Sequence, residues 1–316
     1  MAYGANPSPA PGGRASIDVS VVVPSVNGLD DLSRTLAALE AEESGLALET
    51  IVVDRLGDAV RDAVRARFPG VRIVAAAADA SIPAMRGLAF DLARGEYVAV
   101  IEDHVIVPPR WAHDLVSALR EAEQTCTPVV VGGAVENAAT ERVVDWAAFL
   151  CEYSHCLPPL PAGPTTWLTG NNVLYPRVLL DLYRVHGTDD QWEDQLHARM
   201  RAGGVTLLCC PGVIVSHRKH YTVREYLSQR FLYSRSYAGA RWHGVTPARR
   251  ALLGAASLAL PAVLLSRIVT RVASKRRHVA PLLRGLPLIA LFVLAWAAGE
   301  VAGAWFGAGN SLRKVR

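Results

Sequence analysis

The chain has 316 residues, 51% of them apolar and 20% charged, with a formal net charge of +4. An apolar share of that size supports a full core, and neither Gly nor Pro recurs at a fixed period, so a disordered or collagen-like chain is excluded. The small net charge conceals a division: residues 1–216 hold 16 Arg/Lys against 27 Asp/Glu, a net of −11, whereas residues 217–316 hold 17 against 2, a net of +15.

Residues 1–16 are rich in Pro, Gly and Ala, lack the basic-then-apolar order of a secretion signal, and read as a disordered leader. Residues 17–24 (IDVSVVVP) form a β-branched run, continuous as in a strand buried on both faces. Residues 30–43 follow as a helix, with Leu32, Leu36 and Leu39 on one side. The same alternation continues with strands at 50–54, 71–75, 97–101 and 128–131 and helices at 59–68, 83–93 (opened by Ser81) and 111–122. Strands and helices alternating at this spacing predict right-handed βαβ units, hence a mostly parallel sheet with helices on both faces. Residues 140–216 are less regular, with a Pro-rich stretch at 157–164, WLTGNN at 167–172, an acidic run at 189–194 and a strand-like 213–216.

In parallel sheets, ligands bind beyond the carboxyl ends of the strands. Here those ends carry Pro24-Ser25-Val26-Asn27, then Asp54, then Glu102-Asp103-His104, so the site is expected to be acidic. Carboxylate and imidazole together suit a divalent cation, which would offset the repulsion between an acidic pocket and a phosphate-bearing substrate. No GxGxxG follows the first strand and no Walker A loop occurs, which excludes the usual dinucleotide and P-loop sites. Five cysteines (Cys126, Cys151, Cys156, Cys209, Cys210) include no CxxC pair and read as reduced thiols.

Six segments taken in order, VSVVVPSVNG (19–28), IVVD (51–54), SIPAMRG (81–87), GEYVAVIEDHVIVPPRW (95–111), WLTGNNVLYPR (167–177) and WEDQLHARMRAGG (192–204), resemble the family 2 glycosyltransferases of the GT-A fold over about residues 17–240. The resemblance implies a Rossmann-like nucleotide-diphospho-sugar transferase sheet and an inverting sugar transfer. Pro24, Asn27 and Asp54 match positions around the donor nucleotide, as do Arg86, Glu102 and Asp103, although Gly87 stands where an asparagine is usual. The metal, Mn²⁺ or Mg²⁺, falls to Asp103, His104 and His217. A histidine replaces the last aspartate of the family's DxD, as in the polypeptide N-acetylgalactosaminyltransferases, and its nitrogen tilts the site towards Mn²⁺. The family's ED pair falls on Glu193-Asp194, with Asp194 as the base that deprotonates the acceptor hydroxyl. A helix N-terminus there favours the ionised carboxylate. Gly170, Asn171, Asn172 and Trp192 match the acceptor side, and Arg230 and Arg235 are candidates for the diphosphate, with membrane-surface contact as the competing role.

The basic C-terminal third also contains the uncharged run 251–265 and the run 285–309, interrupted only by Glu300. Basic residues beside long apolar runs point to a membrane and away from nucleic acid. Positive charge before, between and after the runs conflicts with a simple two-span hairpin, unless the first helix is re-entrant or interfacial. The expected organisation is therefore a leader (1–16), a catalytic domain (17–246, with a donor half 17–135 and an acceptor half 136–246) and a membrane-associated helical region (247–316). The catalytic domain is expected at the cytoplasmic side of the cell membrane. Its expected partners are a nucleoside-diphosphate sugar and a lipid-linked or cell-envelope glycan acceptor. A polyprenyl-phosphate glycosyltransferase and an inactive membrane scaffold subunit are the alternatives. The catalytic expectation requires His104 and Asp194 to open onto one cleft.

Overall fold

Alternation within the β-branched runs sets which way each strand faces. In β1 (Val19–Ser25), Val19, Val21 and Val23 join one buried cluster while Val22 joins another. The computed structural model, which describes residues 17–185, 192–242 and 244–315, extends this rule to a sheet covered on both sides. The expected leader and Asp189-Asp190-Gln191 of the acidic run lie outside the described residues.

From β1 the chain runs through α1 (Leu29–Glu40), β2 (Leu48–Asp54), α2 (Asp58–Arg67), β3 (Arg72–Ala75), α3 (Ile82–Leu92) and β4 (Tyr97–Val100). These four strands pair in parallel in the order β3-β2-β1-β4. Helix α3 starts where expected, because Ser81 accepts the Ala84 N–H and Pro83 sits in the first turn. Next come the two-residue β5 (Val105–Ile106), α4 (Trp111–Glu123), β6 (Val129–Asn137), α5 (Val143–Tyr153), β7 (Gly163–Thr165), β8 (Val173–Pro176), α6 (Arg177–Tyr183), α7 (Glu193–Ala202) and β9 (Thr206–His217). The sheet continues as β4-β8-β6-β9-β5, and β8 is antiparallel to both of its neighbours. The parallel arrangement thus holds from β3 to β4, and β8 makes the whole sheet mixed.

One sheet face packs against α1, α2, α4 and α5, the other against α3, α6 and α7. The chain closes with α8 (Val223–Arg241), α9 (Pro247–Ala256), α10 (Leu260–Lys275) and α11 (Val279–Phe306). Helix α8 begins with a reciprocal cap, Thr222 and Glu225 each accepting from the other's backbone N–H. Helix α5 escapes a periodicity search because it is apolar nearly all round, buried between the sheet face and α11.

Candidate active site

The parallel pairing of β1 and β4 sets the turn after β1 beside the residues that follow β4. Asp103, fully buried, ties the two together. Its Oδ2 accepts the backbone N–H groups of Val26 (2.7 Å) and Asn27 (2.8 Å), and its Oδ1 accepts the Asn27 side-chain amide (2.6 Å) and lies 3.0 Å from His104 Nδ1. With both oxygens engaged, Asp103 is a brace between two strand ends, and in place of the expected Asp103 it is Glu102 that joins His104 and His217 in the group able to hold a cation.

Its neighbours face elsewhere. β5 pairs with the end of β9, Val105 opposite His217, and this brings His104 Nε2 to 2.8 Å from His217 Nε2. Glu102 Oε2 lies 3.3 Å from the same His104 nitrogen. Glu102, His104 and His217 each present one ligand atom within 4.8 Å of the others. Burial works against ionised Glu102, but the bond to His104 and the positive charges of His104 and Arg86 hold its carboxyl far below the usual range. Burial likewise opposes a charged His104, yet its bonds to Asp103 and Glu102 raise its pKa. His217 is pushed well below an ordinary imidazole by burial and then by His104. His104 Nε2, His217 Nε2 and a Glu102 oxygen are therefore the three atoms that a cation would gather. An oxygen and two imidazole nitrogens fit Mn²⁺ better than Mg²⁺.

Around this cluster stand groups that sequence reasoning missed. Tyr153 donates to Glu102 Oε2 at 3.1 Å. Glu152, Lys219, Tyr221 and Tyr233 line a cavity of ≈ 20 Å³ together with Pro24, Asn27, Glu102, Asp103 and His104. The pKa of Glu152 is raised, first by burial and then by the charge of Glu102. Tyr153 and Glu152 ride on α5, whose lack of a helical stripe hid them, whereas Lys219 sits two residues past His217 and was open to notice.

The second acidic pair opens α7. Arg86, 5% exposed, makes an ion pair with Glu193 and donates to Gly170 O at 3.1 Å, and its Nη2 stands 3.7 Å from Glu102 Oε1. A Cβ at Gly170 would lie 2.1 Å from Glu193 Oε1, so glycine there lets the carboxylate approach. Arg86 thus links the strand-end cluster to α7 through Glu193. Asp194 turns to the other side, towards Tyr237 and Arg241 of α8. Its Oδ1 is buried with no hydrogen-bond partner among the described residues, and desolvation raises its pKa. The cavity beside His104 does not include Asp194, so the single cleft expected for His104 and Asp194 is not formed in this arrangement: α7 turns Asp194 towards α8 while Glu193 faces Arg86. Trp192 and Gln195, which flank the pair in sequence, line a second cavity of ≈ 380 Å³ with Tyr237, Ser81 and the chain end near Arg313.

Other expected site residues take structural positions. Asn172 is completely buried, accepting from Trp111 Nε1 (2.9 Å) and donating to Ala134 O (2.9 Å) and Val213 O (3.0 Å), so it cannot meet an acceptor. Asn171 accepts from Thr169 and reaches Glu102 at 3.5 Å. Trp192, 6% exposed, stacks against Tyr237 and Tyr233. Asp54 is fully buried, held by Ser25 (2.9 Å), the Gly57 N–H (3.1 Å) and Arg61 (2.9 Å), and offers no surface to a donor in this arrangement. Arg235 donates to Gly307 O at the end of α11, and Arg230 lies 4.0 Å over the Trp296 ring. Neither arginine faces the cluster cavity, which corrects the diphosphate expectation.

Similarity to known proteins agrees with this architecture. The family profile described as glycosyl transferase family 2 matches residues 20–153. No curated protein sequence matches the chain. A solved mannosyltransferase from Pyrobaculum calidifontis, PcManGT in complex with GDP-Man and Mn²⁺, is 20% identical with a TM-score of 0.54, over 89% of this chain and 86% of that one. GalNAc-T7 with UDP, GalNAc and Mn²⁺ is 14% identical with a TM-score of 0.51, over 65% of this chain. S. aureus TarS is 12% identical with a TM-score of 0.52, over 90% of this chain. The aligned part spans only 44% of the GalNAc-T7 chain and 55% of the TarS chain.

Proposed function

Since residues 20–153 match the glycosyl transferase family 2 profile, we propose that the chain is a membrane-attached, inverting, metal-dependent enzyme of that family. In this proposal it moves one sugar from a nucleoside-diphosphate donor to a lipid-linked or cell-envelope glycan, with the catalytic domain on the cytoplasmic side. The observation that carries the proposal is the convergence of Glu102, His104 and His217 at the ends of β4 and β9. A divalent cation held there would supply positive charge against the departing diphosphate. Mn²⁺ with a nucleotide or nucleotide sugar, as bound by GalNAc-T7 and PcManGT, supports the same assignment here.

The chain's own residues divide the remaining work. Asp103 and Asn27 fix the turn after β1 against the cluster. Tyr153 and Asn171 donate to the same Glu102 Oε2 that faces His104 and so orient that carboxylate. Arg86 holds Glu193, so Glu193 is spoken for and makes a poor proton acceptor. Among the described residues Asp194 Oδ1 has no hydrogen-bond partner, and its proton affinity is raised, which suit a general base for the acceptor hydroxyl once its side chain turns from α8 towards the cavity beside His104. Trp192 and Tyr237 give the larger cavity the aromatic wall on which an acceptor sugar ring would lie.

Release of nucleoside diphosphate from UDP- and GDP-sugars, with Mn²⁺ and the detergent-solubilised chain, tests the proposal, and Asp194→Asn is the control. Turnover that the control abolishes is expected. Equal, slow release by both proteins with every donor and acceptor would leave a membrane scaffold subunit as the better account. Stimulation by a polyprenyl phosphate would identify the acceptor.

A further inference from the structure

Helix α11 and the continuous stretch Pro247–Lys275 that holds α9 and α10 both have the length and composition of a membrane span, 28 and 29 residues at a mean hydropathy of 1.9. The uncharged run of the second, residues 251–265, is about 22 Å long at 1.5 Å per residue, short of the hydrocarbon core of about 30 Å. The contacts of α11 put it to another use. At its start Gly285 lies against Ala147 of α5, and near its end Gly299 and Gly303 lie against α8. A Cβ on Gly299 would come within 1.9 Å of Ser234 Oγ, and one on Gly303 within 2.5 Å of Arg235 O, so these glycines allow backbone-close packing. The buried row runs from Leu282 through Ile289, Phe292 and Ala297 to Ala304. At 1.5 Å per residue that row is about 33 Å long, as long as the hydrocarbon core of about 30 Å is thick. No bilayer-length part of α11 is therefore free of the catalytic domain. Crossing a membrane would drag α5 and α8, with Glu152, Arg230 and Arg235, into hydrocarbon.

The opposite side of α11 is also apolar, and it is exposed. Leu283 (60%), Leu291 (41%), Leu294 (54%) and Phe306 (74%) recur at helical spacing along it. Helices α9 and α10 pack beside α11, and Leu252 (70%) of α9 and Leu258 (73%) in the turn between α9 and α10 are exposed as well. This many exposed large apolar side chains in one part of the chain mark an interaction site. The surrounding charge names the partner. Arg249, Arg267, Arg271, Arg276 and Arg284 are exposed on the same helices and their connection, and Glu300, the only acidic residue after Glu225, is buried 3.7 Å from Arg241.

We propose that α9, α10 and α11 form a face that lies flat on an anionic lipid leaflet. The leucines and Phe306 enter the boundary between head groups and acyl chains, the arginines pair with lipid phosphates, and no helix crosses the bilayer. This deepens the membrane-attached reading and rests on it. It also removes the conflict between the basic loop and a two-span hairpin, because neither end of the loop has to be translocated.

Flotation of the full chain with phosphatidylcholine vesicles, with and without phosphatidylglycerol, tests the proposal. Binding is expected to need the anionic lipid, to be at least about tenfold weaker without it, and to fall with added salt. Alkaline carbonate should release the bound chain. Leu291→Asp with Leu294→Asp, both on the exposed face, should lower binding by about tenfold or more while circular dichroism is unchanged. A bound chain that resists carbonate and yields only to detergent would overturn the flat orientation and leave membrane attachment standing. Equal binding to both vesicles would overturn the anionic-lipid assignment. A chain that binds neither and forms a discrete dimer in light scattering would overturn both, with a second copy covering the face.

Discussion

Glu102 and Asp103 leave β4 as sequence neighbours, and Glu193 and Asp194 open α7 as sequence neighbours, yet within each pair the two carboxylates lead different lives. Asp103 is consumed by two backbone N–H groups and Asn27, while Glu102 turns to the imidazoles. Glu193 is ion-paired with Arg86, while Asp194, turned towards α8, has among the described residues no ion pair and no hydrogen-bond partner for its Oδ1. One member of each pair fixes the chain and the other is left for chemistry. The general lesson is that consecutive side chains diverge at a strand end or helix start, so a motif of two acids is two separate assignments.

The largest expected effect separates the α7 pair. Asp194→Asn should lower the rate of nucleoside diphosphate release by about 10²–10⁴-fold, the usual worth of a general base. Glu193→Gln should cost far less, since it loosens Arg86 and removes no base. If Glu193→Gln proves the more damaging, the roles within that pair are reversed. The β4 pair should divide by a different readout. Glu102→Gln should weaken Mn²⁺ binding by calorimetry by about 100-fold while the melting temperature holds, because a ligand oxygen becomes an amide. Asp103→Asn should instead lower stability by about 2 kcal/mol, leaving two backbone donors facing a poorer acceptor. Similar losses of metal and of stability in both variants would dissolve the distinction.

A smaller effect concerns Tyr153, which touches the metal set only through Glu102. Tyr153→Phe should reduce Mn²⁺ affinity by about tenfold, as an outer partner of a ligand does. The smallest effect is a stability difference with a defined sign. Burial raises the Asp194 pKa, so the folded state holds this proton to higher pH than the unfolded chain and ionisation costs the folded state. Asp194→Asn should therefore raise the melting temperature at neutral pH. That gain should shrink once pH falls below the raised pKa and be gone below the unfolded aspartate value of about 3.9, where the acid is neutral in both states. The acid limb of kcat/KM should likewise sit above the ordinary aspartate value of about 3.9. An unchanged melting temperature at neutral pH would mean that Asp194 is better solvated than its surroundings indicate.

Much of the first half was legible without coordinates. β-branched runs alternating with amphipathic helices predict parallel strands β1 to β4, and α1 to α4 form on the expected segments. His104 and His217 were nominated before their rings were seen 2.8 Å apart. The second half was harder for physical reasons. Helix α5 has no polar face to mark its period, β5 is two residues long, and β8 owes its place to a reversal of direction that local pattern does not encode. Asn172 and Arg235 have the chemistry of site residues, but the fold spends their polar groups on its own carbonyls and on Trp111.

By itself the sequence determined the alternation of strands and helices, the acidic strand ends, the apolar basic C-terminal third and the short list of groups able to hold a cation. These follow from side-chain type and period along the chain. Tertiary structure alone decided which acid of each pair faces the imidazoles or stays unpaired, and that α11 lies along α5 and α8 for its whole length. Those outcomes depend on distances between segments remote in sequence, such as His104 and His217 or Gly299 and Ser234. Packing sets such distances, and no local pattern carries them.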